Sequence, residues 1–258
     1  MTIVLPPELL SLKNVHLDTI RGRLVESISP LSERALGTRY IFLCFTNRCG
    51  SNYLSEAIAS NGVLNRAGEF FNGDTIADNA RDVGLKDFGE FFNYLVGHMS
   101  KSGYLVSKIA ATHLVILVTT GVLDKILERT QFIILQRCDK LGQAISLSIA
   151  DQTTQWSTAL PTALPDDQLA FKRDQLRRLI VGLAREYHLL DLFFGLNGIV
   201  PLLLSYENLI SNADLVLAQI SRFLGVDLHL EPSRINVARQ TRAVNAEWRE
   251  QYLAYRGV

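Results

Sequence analysis

Four short apolar runs, separated by longer stretches with helical periodicity, constrain the fold of this 258-residue chain more than any other feature. The runs cover residues 40–45, 104–109, 131–136 and 200–205. Short runs that are apolar at nearly every position are typical of parallel strands, which are covered on both faces. Because strands that alternate with helices are joined by crossovers, the pattern predicts a three-layer αβα fold with a mainly parallel central sheet.

The intervening segments carry their apolar residues on one helical face. A long stripe is formed by Leu85, Phe88, Phe91, Phe92, Leu95 and Met99. A later helix is predicted to begin after Asn212, whose side chain can accept from free backbone N–H groups, and to end at Gly225. No internal repeat or low-complexity segment interrupts the pattern, so the chain is predicted to form a single domain.

Charge and apolar content exclude several classes of partner. Lys+Arg and Asp+Glu are balanced at 26 each, so we expect no nucleic-acid partner and no attraction to an anionic membrane. The most apolar long window, residues 113–123, is too short to span a bilayer, and the first ten residues lack the pattern of a secretory signal. These observations predict a soluble, cytoplasmic protein.

The three cysteines, Cys44, Cys49 and Cys138, have no CxxC spacing. Their odd number and their spacing argue against a disulfide framework and against a zinc site. We therefore expect free thiols and no bound metal.

The stretch TNRCGSNYL, residues 46–54, follows the first predicted strand and opens a helical pattern. The first turn of a helix has backbone N–H groups without intrahelical partners, and its dipole favours negative charge. Gly50 lets the backbone approach a ligand, Arg48 offers a fork of donors, and Ser51 and Asn52 add short polar groups. The GxxxxGK[ST] spacing of a P-loop is absent, so the loop predicts a phosphate or sulfate site of another kind.

A second group of polar residues follows the third predicted strand. Asp139 is a plausible N-cap for the next helix, and Ser146 lies about two turns further along, roughly 10 Å along the axis. The Arg137 side chain is long enough to meet the Ser146 hydroxyl at one small anion. This pair predicts a second phosphate site, separate from the first.

Three segments together carry a resemblance: TNRCGSNYL, RCDKLGQAIS and the C-terminal RQTRAVNAEWREQY. They resemble sulfotransferases, most closely the bacterial branch that includes trehalose 2-sulfotransferase and the nodulation-type enzymes, over residues 39–158 and 199–256. The resemblance implies a P-loop-NTPase-like sulfotransferase fold and the donor 3′-phosphoadenosine 5′-phosphosulfate (PAPS). It also implies an acceptor hydroxyl on a carbohydrate or glycolipid, and no metal.

The resemblance also implies roles for individual residues. The loop that holds the 5′-phosphosulfate corresponds to Arg48, Cys49, Gly50, Ser51, Asn52 and Tyr53. Cys49 stands where the family usually has serine, so a hydroxyl donor is replaced by a weak thiol donor. Arg137 and Ser146 match the pair that binds the 3′-phosphate, and Arg239 matches an arginine that closes over the cofactor.

Transfer to an alcohol needs a group that accepts the hydroxyl proton. In the bacterial branch this base is a glutamate shortly after the first helix, and the corresponding residue here is Glu69. Arg48 is the matching candidate for stabilising charge on the departing phosphate. His113 is a reserve base, and Lys108 lies where it could reach the site or flank the sheet.

Acceptor recognition is expected in the variable segments of the single sulfotransferase domain. We interpret residues 1–38 as an N-terminal extension and residues 160–197 as a helical insertion on the acceptor side. Apolar stripes in the variable segments 72–103 and 160–197 leave room for a homodimer interface. Two alternative functions stay open: a catalytically impaired nucleotide-binding relative, and a small-molecule kinase, although the lysine and the Mg²⁺-binding hydroxyl of a P-loop are absent at their usual spacing.

Overall fold

A computed structural model describes residues 2–22, 24–26, 28–156, 164–236 and 242–254. Its sheet has the strand order β2-β1-β3-β4, with every neighbouring pair parallel. The strands are β1 (Arg39–Cys44), β2 (Tyr104–Ile109), β3 (Thr130–Gln136) and β4 (Leu202–Ser205). Helices pack on both faces, so the predicted three-layer αβα fold is confirmed.

The helices occupy the segments before, between and after the strands. They are α1 (Pro7–Leu10), α2 (Val15–Ile20), α3 (Glu33–Gly37), α4 (Ser51–Ala59), α5 (Gly73–Val83), α6 (Phe88–Met99), α7 (Ala111–Thr119), α8 (Val122–Ile126), α9 (Lys140–Thr153), α10 (Arg173–Leu196), α11 (Tyr206–Ser211), α12 (Ala213–Leu224) and α13 (Ala243–Ala254). The Asn212 side chain accepts from the Leu215 N–H, and Gly225 ends α12 in the left-handed region, as predicted.

The central strand β1 divides the core into two layers. Tyr40, Phe42 and Cys44 belong to one buried cluster, while Ile41 and Leu43 belong to the other. Side chains alternate across a strand, so each face of the sheet needs its own helical cover. Helices α5 to α8 and α10 cover the first face, whereas α4 and α12 cover the second.

Helix α10 lies in the segment that the sequence predicts as a helical insertion. Its Phe193 and Phe194 are buried in the same cluster as Phe132 of β3, and the Phe132 and Phe194 ring centroids are 5.1 Å apart. The helix therefore forms part of the layer that covers the sheet. Its assignment to the acceptor side stays a prediction.

The N-terminal segment before β1 is fastened to the body at several points. The Ile3 N–H donates to Asp124 and the Val4 N–H donates to Asn197, each at 2.8 Å. Leu9 of α1 is almost fully buried. This segment, predicted as an extension of the domain, packs as part of it.

A membrane-spanning helix is not found in the ranges that the structure describes, because none of their helices combines the necessary length with sufficient apolar character.

The start of α6 packs tightly against residue 29, and this contact allows a matched stability test. A Cβ atom at Gly89 would collide with the backbone oxygen of Ser29, whereas at Gly97 on the same helix it would meet no atom within 4 Å. We expect Gly89→Ala to lower the free energy of unfolding by about 2 kcal/mol, since overpacking against backbone cannot relax easily. Gly97→Ala should raise it by roughly 0.5–1 kcal/mol. Urea unfolding measures both, and equal effects would contradict the close packing of α6 on Ser29.

Candidate active site

The candidate site lies where β1 and β3 end, at the same edge of the parallel sheet. After β1 the chain turns tightly, and the Cys49 N–H donates to the Thr46 carbonyl oxygen at 3.3 Å. Arg48 and Gly50 have positive φ angles of 64° and 93°, and α4 begins at Ser51. The predicted strand-to-helix junction is therefore present. Its helix N-terminus offers backbone donors of the kind that bind anions.

Two neighbouring elements hold this loop in place. From α9, the buried amide of Gln143 donates to the Thr46 hydroxyl at 2.8 Å and to the Asn47 carbonyl at 2.7 Å. From the end of β4, the Tyr206 ring covers Gly50 so closely that a Cβ there would lie 2.5 Å from a ring carbon. Gly50 is thus required both by its φ angle and by this contact.

Arg48 connects the two predicted phosphate sites. Its Nε donates to the Ser146 hydroxyl at 2.9 Å, and Nη1 donates to the Trp156 carbonyl at 2.9 Å. Arg137 donates to the Arg48 carbonyl at 3.3 Å, and its guanidinium lies 4.7 Å from the centroid of the Tyr206 ring. We expected Ser146 to act with Arg137. In the structure its hydroxyl accepts from Arg48, so the two sites are contiguous.

The electrostatic environment of Arg48 is unfavourable for a cation. Burial lowers the pKa of its guanidinium, and the charges of Arg137 and Arg242 lower the pKa further. Arg48 and Arg242 also line one pocket, together with Ser146 and Asn245. Several arginines thus converge on a small volume, which favours an anionic ligand.

Hydrogen bonds also hold the junction between β3 and α9. The predicted N-cap is confirmed, since Asp139 accepts from the Gly142 N–H at 2.9 Å. Glu207 accepts from the N–H groups of Cys138 at 3.0 Å and Asp139 at 3.2 Å. Burial alone would raise the pKa of Glu207, but these N–H groups lower it. Glu207 and Tyr206 thereby position this junction and the loop around Gly50.

Cys49 of the loop is part of the buried core. Its side chain is fully buried in the cluster that also holds Leu54 and Ala57 of α4, and this burial raises the pKa of the thiol. A serine hydroxyl at this orientation would be equally hidden. The thiol therefore contributes to the core below the loop, and the effect of cysteine on donor binding stays a prediction.

Lys108 joins Glu69 to the anion loop. The ammonium of Lys108, at the end of β2, donates to Glu69 at 2.8 Å and to Asn52 of α4 at 2.7 Å. The Lys108 side chain is 8% exposed and that of Glu69 is 40% exposed. A carboxylate that solvent can reach is thus held beside the loop by a buried cation. The sequence left the direction of Lys108 open, and the structure directs it into the site.

His113 is unsuited to the role of reserve base. It lies in α7, its Nδ1 accepts from the Ala110 N–H at 3.2 Å, and the proton of the neutral ring is therefore on Nε2. Burial lowers its pKa to about 3, with a further contribution from the charges of His16 and Lys108. Within the described residues its buried Nε2–H has no hydrogen-bond partner, so the ring forms part of the packing between α7 and α2.

The remaining predicted residues lie in different surroundings. Ser51 is buried at the start of α4, and Tyr53 packs against the core cluster beneath that helix. Arg239 lies outside the described residues. Sequence reasoning missed Gln143, Tyr206 and Glu207. The latter two directly follow the fourth strand, and their place at the site edge of the sheet was the available signal.

Within the described ranges, no three His, Cys, Asp or Glu side chains are arranged to hold a metal ion. The site in these ranges is built from cations, hydroxyls, amides and carboxylates.

Comparison with known proteins gives one family match. The family model described as Stf0 sulphotransferase matches residues 99–255, which include Lys108, Arg137 and Ser146. A comparison with curated proteins gave no match. The loop at residues 46–54 and Glu69 precede the matched range.

Two solved structures are similar to this chain. A sulfotransferase from Alicyclobacillus acidocaldarius is 13% identical, with 83% of this chain and 90% of that chain covered and a TM-score of 0.49. Mouse sulfotransferase SULT7A1 complexed with PAP is 13% identical, with 88% and 73% covered and a TM-score of 0.41.

The buried imidazole of His113 predicts a specific pH dependence of stability. Its folded-state pKa of about 3 lies below the ordinary value of 6.5, so the unfolded chain binds the proton first as the pH falls. The stability contributed by the neutral ring is present above pH 6.5 and is lost progressively toward pH 3. In His113→Leu, the slope of unfolding free energy against pH between 6 and 4 should decrease by about 1.4 kcal/mol per pH unit. Urea unfolding at several pH values tests this, and an unchanged slope would contradict a neutral His113.

Proposed function

Because this chain belongs to the Stf0 sulphotransferase family and is a sulfotransferase, we propose that its donor is PAPS and its acceptor a carbohydrate or glycolipid hydroxyl. The observation that carries the donor assignment is that Arg137 and Arg242 both lie near Arg48, in the loop that leads into α4, although Arg242 also pairs with Asp166. Such a group of cations suits a ligand with more than one phosphate or sulfate group.

The two ends of the donor are assigned to the two halves of this cationic site. The N-terminus of α4, with Ser51 and Asn52, binds the 5′-phosphosulfate. Arg137 and Ser146 bind the 3′-phosphate, and Arg48 lies between the two groups. Arg239 is proposed to bind the donor from the C-terminal segment. The hydrogen bond between Arg48 and Ser146 supports this arrangement, since it brings the two halves into contact.

The proposed reaction is an in-line transfer of the sulfuryl group. Glu69 accepts the proton of the acceptor hydroxyl while that oxygen forms a bond to sulfur. The bond between sulfur and the bridging phosphate oxygen breaks, and its electron pair remains on the departing phosphate. Arg48 stabilises the charge that develops there. The reaction thus releases 3′-phosphoadenosine 5′-phosphate (PAP) and a sulfated acceptor.

Lys108 is proposed to have two functions in this reaction. Its ion pair with Glu69 directs the carboxylate toward the acceptor side of the loop. Its contact with Asn52 places the same ammonium beside the residues assigned to the phosphosulfate, where it can stabilise negative charge on the sulfuryl oxygens. The burial of Lys108 strengthens both effects, because water screens the charge less.

Donor binding is tested by thermal shift. PAP should raise the melting temperature more than ADP does, because ADP lacks the 3′-phosphate that Arg137 and Ser146 bind. Arg137→Gln should reduce the difference between the two ligands, whereas Arg222→Gln, on α12 away from the site, should leave it unchanged. Equal shifts by PAP and ADP in the wild-type protein would contradict the assignment of a 3′-phosphate site.

The proposed base is tested by Glu69→Gln. This variant should keep the melting-temperature shift with PAP and lose about 10²- to 10⁴-fold in transfer rate, since the amide cannot accept the proton. Transfer is measured with radiolabelled PAPS on a panel of glycans, glycolipids and phenols. Glu128→Gln, at an exposed position before β3, is the control and should retain full activity. Full activity of Glu69→Gln would exclude Glu69 as the base.

A further inference from the structure

Helix α2 of the N-terminal segment is held close to the candidate site. The buried Asn14 caps this helix by accepting from the Leu17 N–H at 3.0 Å, and it donates to the Thr112 carbonyl of α7 at 2.8 Å. A Cβ at Gly73, the first residue of α5, would lie 2.7 Å from the Cα of His16. Helix α2 is therefore packed directly against the starts of α5 and α7, and these contacts fix the position of His16.

The hydrogen bonds of His16 leave one ring nitrogen available. Nδ1 accepts from the Gly73 N–H at 3.3 Å, so the neutral ring carries its proton on Nε2. Among the residues that the structure describes, none accepts a hydrogen bond from this Nε2–H. The ring is half-buried, and it meets the His113 ring edge-on at 4.9 Å between centroids. His16 therefore presents an oriented N–H donor.

The residue that His16 accepts from, Gly73, belongs to the turn that follows the proposed base. The Glu69 carbonyl accepts from the Asn72 N–H at 3.1 Å, and the next residue, Gly73, is the partner of His16. Burial lowers the pKa of His16, while the charges of Asp74 and Glu69 oppose that shift. The Glu69 carboxylate is thus near enough to raise the pKa of the His16 imidazole. Because the net shift is downward, His16 is predominantly neutral at pH 7 and keeps its Nε2–H.

We propose that His16 is a specificity residue of the acceptor site, where its Nε2–H binds an oxygen adjacent to the hydroxyl that Glu69 deprotonates. Glu69 can only accept a hydrogen bond, and His16 offers only a donor on this side. Together they match two neighbouring oxygens, one that gives up a proton and one that accepts a hydrogen bond. This combination favours a vicinal diol, as in a sugar, over an alcohol with a single oxygen.

The inference rests on the proposed function and extends it to the acceptor. A site that hydrogen-bonds a substrate oxygen rejects an analogue without that oxygen, because its polar group is then left unpaired. His16 precedes residues 99–255, the range matched by the family model. The inference thus gives a role in substrate selection to the N-terminal segment, which lies outside the matched range.

Two matched alcohols test this assignment: trans-1,2-cyclohexanediol and cyclohexanol. With radiolabelled PAPS, the wild-type protein should show kcat/KM at least about tenfold higher for the diol. His16→Phe keeps a ring without a donor, so it should lower the rate with the diol to that with cyclohexanol. His16→Gln keeps an N–H near the position of Nε2 and should restore part of the preference. His98→Phe, at an exposed position on α6, is the control and should behave as the wild type.

The outcomes separate this inference from the proposed function. A diol preference that persists in His16→Phe, or an equal loss with both alcohols, overturns the role of His16. A wild-type protein that binds PAP but transfers to neither alcohol overturns the two-oxygen acceptor and leaves the donor site supported. A wild-type protein that shows no thermal shift with PAP overturns the proposed donor itself. The shift with PAP should be the same in both His16 variants, since they alter only the acceptor side.

Discussion

The site depends on the parallel pairing of β1 with β2 on one side and with β3 on the other. In this register Cys44 is opposite both Ile109 and Ile134, so the three strands end at one edge of the sheet. The loop after β1, Lys108 near the end of β2 and Arg137 after β3 are thereby brought together from segments that are distant in the chain. An antiparallel arrangement of any of these strands would send its polar terminus to the opposite edge.

At this edge the protein holds positive charges close together and supports them with buried polar contacts. Lys108 is held by Glu69 and Asn52, while Arg137 lies on the Tyr206 ring. Arg48 has hydroxyl and carbonyl acceptors but also two arginines nearby, which lower its pKa. An anionic donor would relieve this repulsion. The arginines repel one another in the free protein because they are held close together. The same fixed positions would allow them to stabilise negative charge on a departing phosphate.

Much of the fold could be predicted from the sequence because its signals are local. Apolar runs located the four strands to within two residues, and the caps at Asp139 and Asn212 marked the starts of two helices. The conformations of individual side chains could not be predicted in this way. Ser146 bonds to Arg48, and Cys49 points into the core, since these directions depend on how α9 and α4 pack on the sheet. Gln143 was missed because nothing in its local sequence indicates the loop that it holds, whereas the place of Tyr206 directly after the fourth strand was an available signal.

The sequence alone determined the succession of strands and helices along the chain and the strand-to-helix loop after β1, because periodicity and turn residues are properties of neighbouring positions. The candidate base Glu69 came from the family resemblance and stays a prediction. Tertiary structure alone decided which of these groups meet. It directed Lys108 to Glu69, left His113 neutral with its proton on Nε2, and brought His16 from the N-terminal segment to the same place. The physical reason is that charge pairing, desolvation and hydrogen-bond direction depend on distances between segments, which packing sets and local sequence does not encode.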